Sequence, residues 1–295
     1  MTLIDLITAQ SARLKSAGVS FGHGTGNAFD EAAWLVLWAL GMPLDALEQK
    51  AREEVAPSDQ ARVEALIAQR TDTRLPAAYL TREAWLQNVP FYVDERTIVP
   101  RSFIAELLAD GEATGILDAW LTDQTRRVLD LCTGNGSLAV IAAMAYPEIT
   151  VDAADISPEA LEVARINVAK HHLGDRISVL HSDLFAATRG PYDLILCNPP
   201  YVNSASMAEL PPEYRAEPAQ ALAGGVDGMD LVRRILRGAS AHMTPEAVLV
   251  LEIGHERGHF EQAFRRLEVA WLETTGGEDQ VLVVTRAALA AYRWS

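Results

Sequence analysis

Between Arg127 and Arg286, short apolar runs alternate with helical stretches, and this alternation constrains the fold more than any other feature. The runs are RVLDLC, ITVDAAD, ISVLHSD, YDLILCN and AVLVLEI, with Leu138 to Tyr146 and Pro158 to His171 reading as crossover helices. Such a pattern predicts an α/β fold in which helices cover both faces of a mostly parallel sheet. The end of the chain departs from it. AWLETT and DQVLVVTR are separated by a loop containing GGED, too short for a crossover helix, so these last two strands should form an antiparallel hairpin. Seven strands are expected in all.

The first part of the chain reads differently. From Thr2 to about Leu80 the spacing is helical, with Leu3, Leu6, Ile7 and Leu14 on one stripe, and with Trp34, Leu35, Leu37 and Trp38 crowding another segment. Both tryptophans are expected in the core. A third helix follows in VAPSDQARVEALIAQR, with Ser58 as its expected N-cap. The segment AWLQNVPFYVDERTIVPRS alternates aromatic and β-branched residues with polar ones, and it reads as a hairpin or extended linker. The expected division is a helical domain over residues 1–83, a linker over 84–100 and an α/β domain over 101–295.

The sequence of 295 residues is 49% hydrophobic, enough for a substantial core, yet no stretch approaches the length of a membrane span. The start lacks a basic region followed by a long apolar one, so a cytoplasmic protein is expected, with no membrane contact. A net charge of -15 argues against general nucleic-acid binding and suits a basic partner, with solubility as the competing reading of the charge. Cys132 and Cys197 follow strand-like runs without the spacing of a zinc site or a secreted disulfide framework. They read as buried small side chains whose neighbouring strand ends would let them approach. No metal site is expected.

Three successive strand ends carry candidate ligand-binding residues. LDLCTGNGSLA follows the first strand and opens a helix, so Gly134 and Gly136 can bring backbone close to a nucleotide-like cofactor. Gly134, Gly136 and Ala139 match the dinucleotide fingerprint, with Asp155 near the offset of a ribose-binding acid. Asp183 ends the next strand, where an acceptor can receive an adenine amino group. A helix cap or turn is the competing reading for each aspartate.

The fourth strand ends in NPPYV. Asn198 offers a carbonyl acceptor and an amide donor, while Pro199 and Pro200 fix the backbone so that the Pro199 carbonyl keeps one direction. Tyr201 is expected to form an aromatic wall for a planar group. Two acceptors facing one NH2 group would favour localisation of its lone pair. No His or Lys accompanies the motif.

LDLCTGNG, DISPEALEVARIN and NPPYV resemble the class I, S-adenosylmethionine-dependent protein-glutamine methyltransferases. The FGHGTGNAFDEA segment, VPRSFIAELL, LPPEYRAEPAQALAGGVDGMDLVRRIL and EIG look like the branch acting on ribosomal protein L3 rather than on release factors. The resemblance implies a class I, Rossmann-like fold with an N-terminal helical substrate-recognition domain. It implies that Cys132, Thr133, Gly134, Asn135 and Gly136 contact the methionine part of S-adenosylmethionine, Asp155 the ribose, and Asp183 and Leu184 the adenine surroundings. Asn198, Pro199, Pro200 and Tyr201 would hold the glutamine, with Asn198 also beside the cofactor. Asn135 stands where Ser or Thr is common, and Leu184 replaces an aromatic of some release-factor relatives. Arg101 and Glu106 belong to the element that closes over the site, or else form an ordinary surface pair. L3 is the expected partner, and a monomer or weak dimer the expected state.

His23 and Asn27 either contact a partner or cap the next helix, and capping is the expectation. His171 and His172 sit at a helix C-terminus, where cations are favoured, and are not expected as ligands. The competing functions are a release-factor glutamine methyltransferase, an adenine or cytosine amino methyltransferase, a nicotinamide oxidoreductase built on Gly134 and Asp155, and a non-catalytic binding protein.

Overall fold

The computed structural model describes residues 1–109 and 116–294. Five helices come first: α1 (Leu3–Ser16), α2 (Ala28–Leu40), α3 (Ala46–Lys50), α4 (Pro57–Thr73) and α5 (Ala77–Thr81). Thr2 and Asp5 form a capping box at the start of α1, each side chain satisfying the other's backbone N–H. Leu3, Leu6, Ile7 and Leu14 pack with Trp34, Leu35 and Leu37 in a core of their own, so the periodic stripe is the buried stripe. Trp38, expected inside, is 40% exposed. The N-cap of α4 is Ala56 and not Ser58, because Pro57 takes the first turn, where its missing N–H costs nothing.

The linker begins with a hairpin of β1 (Ala84–Leu86) and β2 (Val89–Phe91). Gln87 and Asn88 connect them with positive φ at both positions, the geometry that two-residue hairpins favour. Phe91 packs with the sheet core while Val93 and Val99 pack with the helical core, so this segment is shared by both.

Then come α6 (Phe103–Ala109), β3 (Arg127–Leu131), α7 (Ser137–Ala145), β4 (Thr150–Asp155), α8 (Pro158–Lys170), β5 (Ile177–His181) and β6 (Tyr192–Cys197). An insertion carries α9 (Ser204–Glu209) and α10 (Pro212–Arg215); it leads to α11 (Asp230–Ala239) and β7 (Met243–Glu252). The chain ends with α12 (Arg257–Ala263), β8 (Ala270–Thr274), β9 (Gly277–Thr285) and α13 (Arg286–Ala291). The seven-stranded sheet has the order β5-β4-β3-β6-β7-β9-β8. Pairing is parallel from β5 to β7, and β9 runs antiparallel to both β7 and β8, as the short GGED loop requires. Leu194, Ile195, Leu196 and Cys197 are all fully buried, which explains why this central strand reads as an unbroken apolar run. Helices α6, α7 and α8 cover one face, and α11, α12 and α13 the other.

The strand order reverses between the parallel neighbours β3 and β6, creating the switch point at which open α/β sheets bind ligands. The insertion after β6 also reaches the helical core. Arg70, fully buried, bonds Glu31 at 2.8 Å and Glu213 of α10 at 3.2 Å, and it donates to the Ser20 carbonyl. Arg74 bonds the same Glu213 oxygen at 2.6 Å. This link unites segments 143 residues apart.

Arg70→Ala leaves Glu213 held by Arg74 but leaves the buried Glu31 carboxylate with the Thr25 hydroxyl, at 3.2 Å, in place of its ionic partner. Breaking a buried pair in this way should cost about 3–5 kcal/mol in urea unfolding. A loss under about 1 kcal/mol, as for a surface pair, would contradict a structural role for this link.

Candidate active site

The C-terminal ends of β3, β4, β5 and β6 open on a cavity of about 590 Å³. Cys132, Thr133, Gly134, Asn135, Asp155, Asp183, Leu184, Asn198 and Pro200 line it. Gly136, Pro199 and Tyr201 are not on the wall formed by these side chains. Gly136 starts α7 at φ +80, and a Cβ there would lie 3.2 Å from the Ala164 Cβ, so glycine also permits close packing against α8. The Tyr201 ring, expected as a wall, lies instead against Gly254, where a Cβ would come within 2.6 Å of it. Backbone bonds between Val202 and Leu222 and between Gly224 and Val202 hold this loop to the insertion.

The glycine loop is closed from below by Asp155. Its two oxygens accept from the Gly134 and Ser157 amides, each at 2.9 Å. Burial raises the Asp155 pKa, and these backbone donors oppose the rise. A carboxylate has capacity for further donors, and Asp155 lines the cavity. Gly134 has φ +55 and open space where a Cβ would stand. Asn135 keeps its Oδ1 on the Ser137 amide at 3.2 Å, while its buried Nδ2 has no partner. A buried donor left so is costly unless a ligand satisfies it. The open space at Gly134, the orphaned donor and the ribose-ready acid fit the amino-acid and ribose ends of S-adenosylmethionine.

Asp183 lies at the rim with both oxygens held by Arg234, at 2.9 and 2.8 Å, a partner the sequence reading did not identify. Leu184 follows at φ +49, its carbonyl accepting from the Ser182 hydroxyl at 2.6 Å. Behind the loop Asp130 is fully buried; Thr133 and the Ala139 amide donate to its Oδ2, while its Oδ1 has no partner. Burial pushes its pKa up to about 7 despite those two bonds. An acid inside RVLDLC was the one signal for it.

Asn198 follows β6 directly. Cys197 pairs with Leu131 on one side and Leu251 on the other, which sets Asn198 between the glycine loop and Glu252. The Asn198 Nδ2 donates to the Arg101 carbonyl at 3.3 Å and to Glu252 Oε1 at 3.2 Å. Glu252 Oε2 accepts from the Ser102 hydroxyl at 2.6 Å and from the Phe103 and Ile104 amides. Burial raises the Glu252 pKa to about 7, with the Ser102, Ile104 and Phe103 bonds opposing. The sequence reading noted EIG and missed this role for its acid.

Arg101 and Glu106 do not pair. Arg101 makes a bidentate contact with Glu217 of the insertion at 2.7 and 2.6 Å, and Glu106 bonds Thr275. Burial alone would raise the Glu217 pKa, but Arg101 and then His23 hold it at about 2. His23 is no helix cap: it is buried 3.6 Å from Glu217, with its ring 4.2 Å from Tyr214. Asn27 does cap α2, bonding the Phe29 and Asp30 amides. His171 bonds the Pro90 carbonyl at 2.9 Å. Cys132 and Cys197 are free thiols, and burial, with Cys132 nearby, pushes the Cys197 thiol well above its ordinary value. Among the described residues, no cluster of three or more His, Cys, Asp or Glu could hold a metal, and no helix is long and apolar enough to cross a membrane.

Comparison with known proteins agrees with this geometry. Residues 110–212 match the family model described as "Methyltransferase small domain". The chain is 54% identical to the ribosomal protein uL3 glutamine methyltransferase of Bordetella pertussis, over 98% of this chain and 96% of that one. It is 49% identical to the protein of the same name from Burkholderia pseudomallei, again over 98% and 96%. The catalytic domain of hMettl16, solved with an RNA hairpin, is similar in fold, with a TM-score of 0.50 and 14% identity over 77% of this chain and 81% of that one. Sheet order and cavity together define a class I, S-adenosylmethionine-dependent methyltransferase. Within that class, the chain belongs to the ribosomal protein uL3 glutamine methyltransferase family.

Asp130 gives a pH test. Its folded pKa is raised, so the stability it contributes is complete below about pH 4 and is lost as the pH rises toward about 7. Asp130→Asn keeps the shape without the charge and should flatten that decline. Denaturant unfolding across this range should show the variant gaining on the wild type by more than about 1 kcal/mol, the worth of one pKa unit. Parallel pH curves would contradict a protonated Asp130.

Proposed function

We propose that this enzyme transfers a methyl group from S-adenosylmethionine to the side-chain amide nitrogen of a glutamine in ribosomal protein uL3. The observation that carries the proposal is the orientation of Asn198. Its Nδ2 is engaged by Arg101 and Glu252, and no group among the described residues donates to its Oδ1. That oxygen and the Pro199 carbonyl are two acceptors for the two N–H groups of a substrate amide.

An amide nitrogen is a poor nucleophile because its lone pair is delocalised into the carbonyl. Accepting both N–H bonds draws the lone pair back onto nitrogen and aims it along one line. Bound against Gly134, Asn135 and Asp155, S-adenosylmethionine supplies an electrophilic methyl on a sulfonium. The methylated nitrogen then sheds a proton, which needs no strong base. Pro200 shapes the cradle, and Tyr201 supports it from behind through Gly254. Asp155 would bond the ribose, Asp183 and Leu184 would border the adenine, and residues 132–136 would take the amino-acid end.

The division into residues 1–83, 84–100 and 101–295 serves this reading. The first unit has its own core and reaches the insertion beside the cradle through Arg70, Arg74 and Glu213, which suits a substrate-recognition domain. A net charge of -15 suits a basic protein substrate rather than a nucleic acid. The proposal takes the enzyme to be cytoplasmic and a monomer or weak dimer.

The purified enzyme is incubated with methyl-labelled S-adenosylmethionine and equal amounts of uL3, release factor and DNA. Label is expected on a uL3 glutamine. Asn198→Ala should lower kcat by about 100-fold or more while cofactor binding persists. Label on release factor or DNA instead would overturn the substrate assignment. Separately, Asp155→Ala should weaken cofactor binding about tenfold or more by titration calorimetry, and an unchanged Kd would remove Asp155 from the site.

A further inference from the structure

A primary amide looks nearly symmetric in outline, but its two ends are chemically opposite. The cradle works only with the Asn198 oxygen toward substrate. Nothing in the shape of Asn198 prevents the amide from turning over and offering its NH2 group instead, so its neighbours must decide.

We propose that Glu252 is a positioning residue that sets which way round the Asn198 amide lies, and thereby whether the cradle offers an acceptor or a donor. The inference rests on the cradle reading above and adds the group that enforces it. The sheet register brings the two side chains abreast, because Leu251 and Cys197 are partners in adjacent parallel strands. Glu252 Oε2 is committed to three donors at the start of α6: the Ser102 hydroxyl and the Phe103 and Ile104 amides. Oε1 is left facing Asn198 at 3.2 Å. A carboxylate accepts and never donates, so it selects the NH2 end of Asn198 and turns Oδ1 toward the cavity. The Arg101 carbonyl at 3.3 Å selects in the same sense.

The geometry also says what happens when Glu252 carries a proton. Oε2 already meets three donors, so the proton belongs on Oε1, where it becomes a donor facing Asn198. The Asn198 oxygen is then drawn toward Glu252, and the NH2 end turns to the substrate. Glutamine at position 252 reproduces this state permanently. Its oxygen must face the Ser102, Phe103 and Ile104 donors, which leaves its NH2 group toward Asn198. The Arg101 carbonyl opposes the turned-over amide, but one long bond there stands against three on the other side.

The charged and titratable groups around Glu252 are Arg101, from the segment before α6, and Tyr201, from the loop after β6. Arg101 is permanently charged and paired with Glu217, and burial drives the Tyr201 hydroxyl further above its ordinary value. Glu252 is therefore the member of this group that titrates near neutrality. Its pKa, raised to about 7 by burial, places the change within the range of an assay.

The test compares wild type, Glu252→Gln, Asn198→Ala and the double variant on uL3, with cofactor affinity measured alongside. Glu252→Gln should lower kcat about 100-fold, leaving the Kd for S-adenosylmethionine unchanged. The double variant should be no slower than Asn198→Ala alone, because Glu252 acts through Asn198. The wild-type kcat should also fall on the acid side of about pH 7, and this limb should be missing from Glu252→Gln. Wild-type turnover in Glu252→Gln, additive losses in the double variant, or loss of cofactor binding would each overturn the inference. If Asn198→Ala is itself unimpaired, the cradle reading falls and takes this inference with it. If Asn198→Ala is impaired and Glu252→Gln is not, this inference alone falls.

Discussion

Cys197 is paired with Leu131 on one side and with Leu251 on the other, and the site depends on this two-sided parallel register. Slipping a strand by one residue sends every side chain to the opposite face of the sheet. The glycine loop, the Asn198 cradle and Glu252 leave neighbouring strands at one level only while this register holds. Leu194, Ile195, Leu196 and Cys197 secure it because each is buried on a strand covered from both sides. Packing of the core thus sets the geometry of the chemistry.

Around that register runs a chain of buried polar contacts from the helical domain to the cradle. Arg70 joins Glu31 to Glu213, and His23 lies beside Glu217, which in turn holds Arg101. The Arg101 carbonyl then receives the Asn198 amide. Burying ions seldom adds net stability, but leaving one partner unmatched is heavily penalised. Such a chain therefore tolerates little misplacement of the insertion relative to the domain it touches. It ties the helical core to the Asn198 loop.

Much of this was legible in the sequence because it follows from local pattern. The runs from RVLDLC to DQVLVVTR gave the seven strands and their final hairpin, and NPPYV stood out as a group of unusual residues after an apolar run. The resemblance carried what pattern could not, namely the cofactor and the glutamine. Long-range pairing stayed hidden. Nothing local in Glu252, Arg234 or Glu217 announces partners 54, 51 and 116 residues away. Tyr201 and Gly136 were assigned to the ligand from their motifs, and their packing on Gly254 and Ala164 is a contact that those motifs did not announce. Trp38 was assigned to the core because apolar residues crowd its segment, whereas it lies in the last turn of α2 and is 40% exposed, one turn beyond the buried Trp34.

The most direct measurement is a crystal structure of the enzyme with S-adenosylhomocysteine and a glutamine-bearing uL3 peptide. The account requires the glutamine NH2 group to lie within hydrogen-bond distance of both Asn198 Oδ1 and the Pro199 carbonyl, with Asn198 Nδ2 still on Glu252. A glutamine bound with its carbonyl toward Asn198, or an amide seated elsewhere in the cavity, would contradict it.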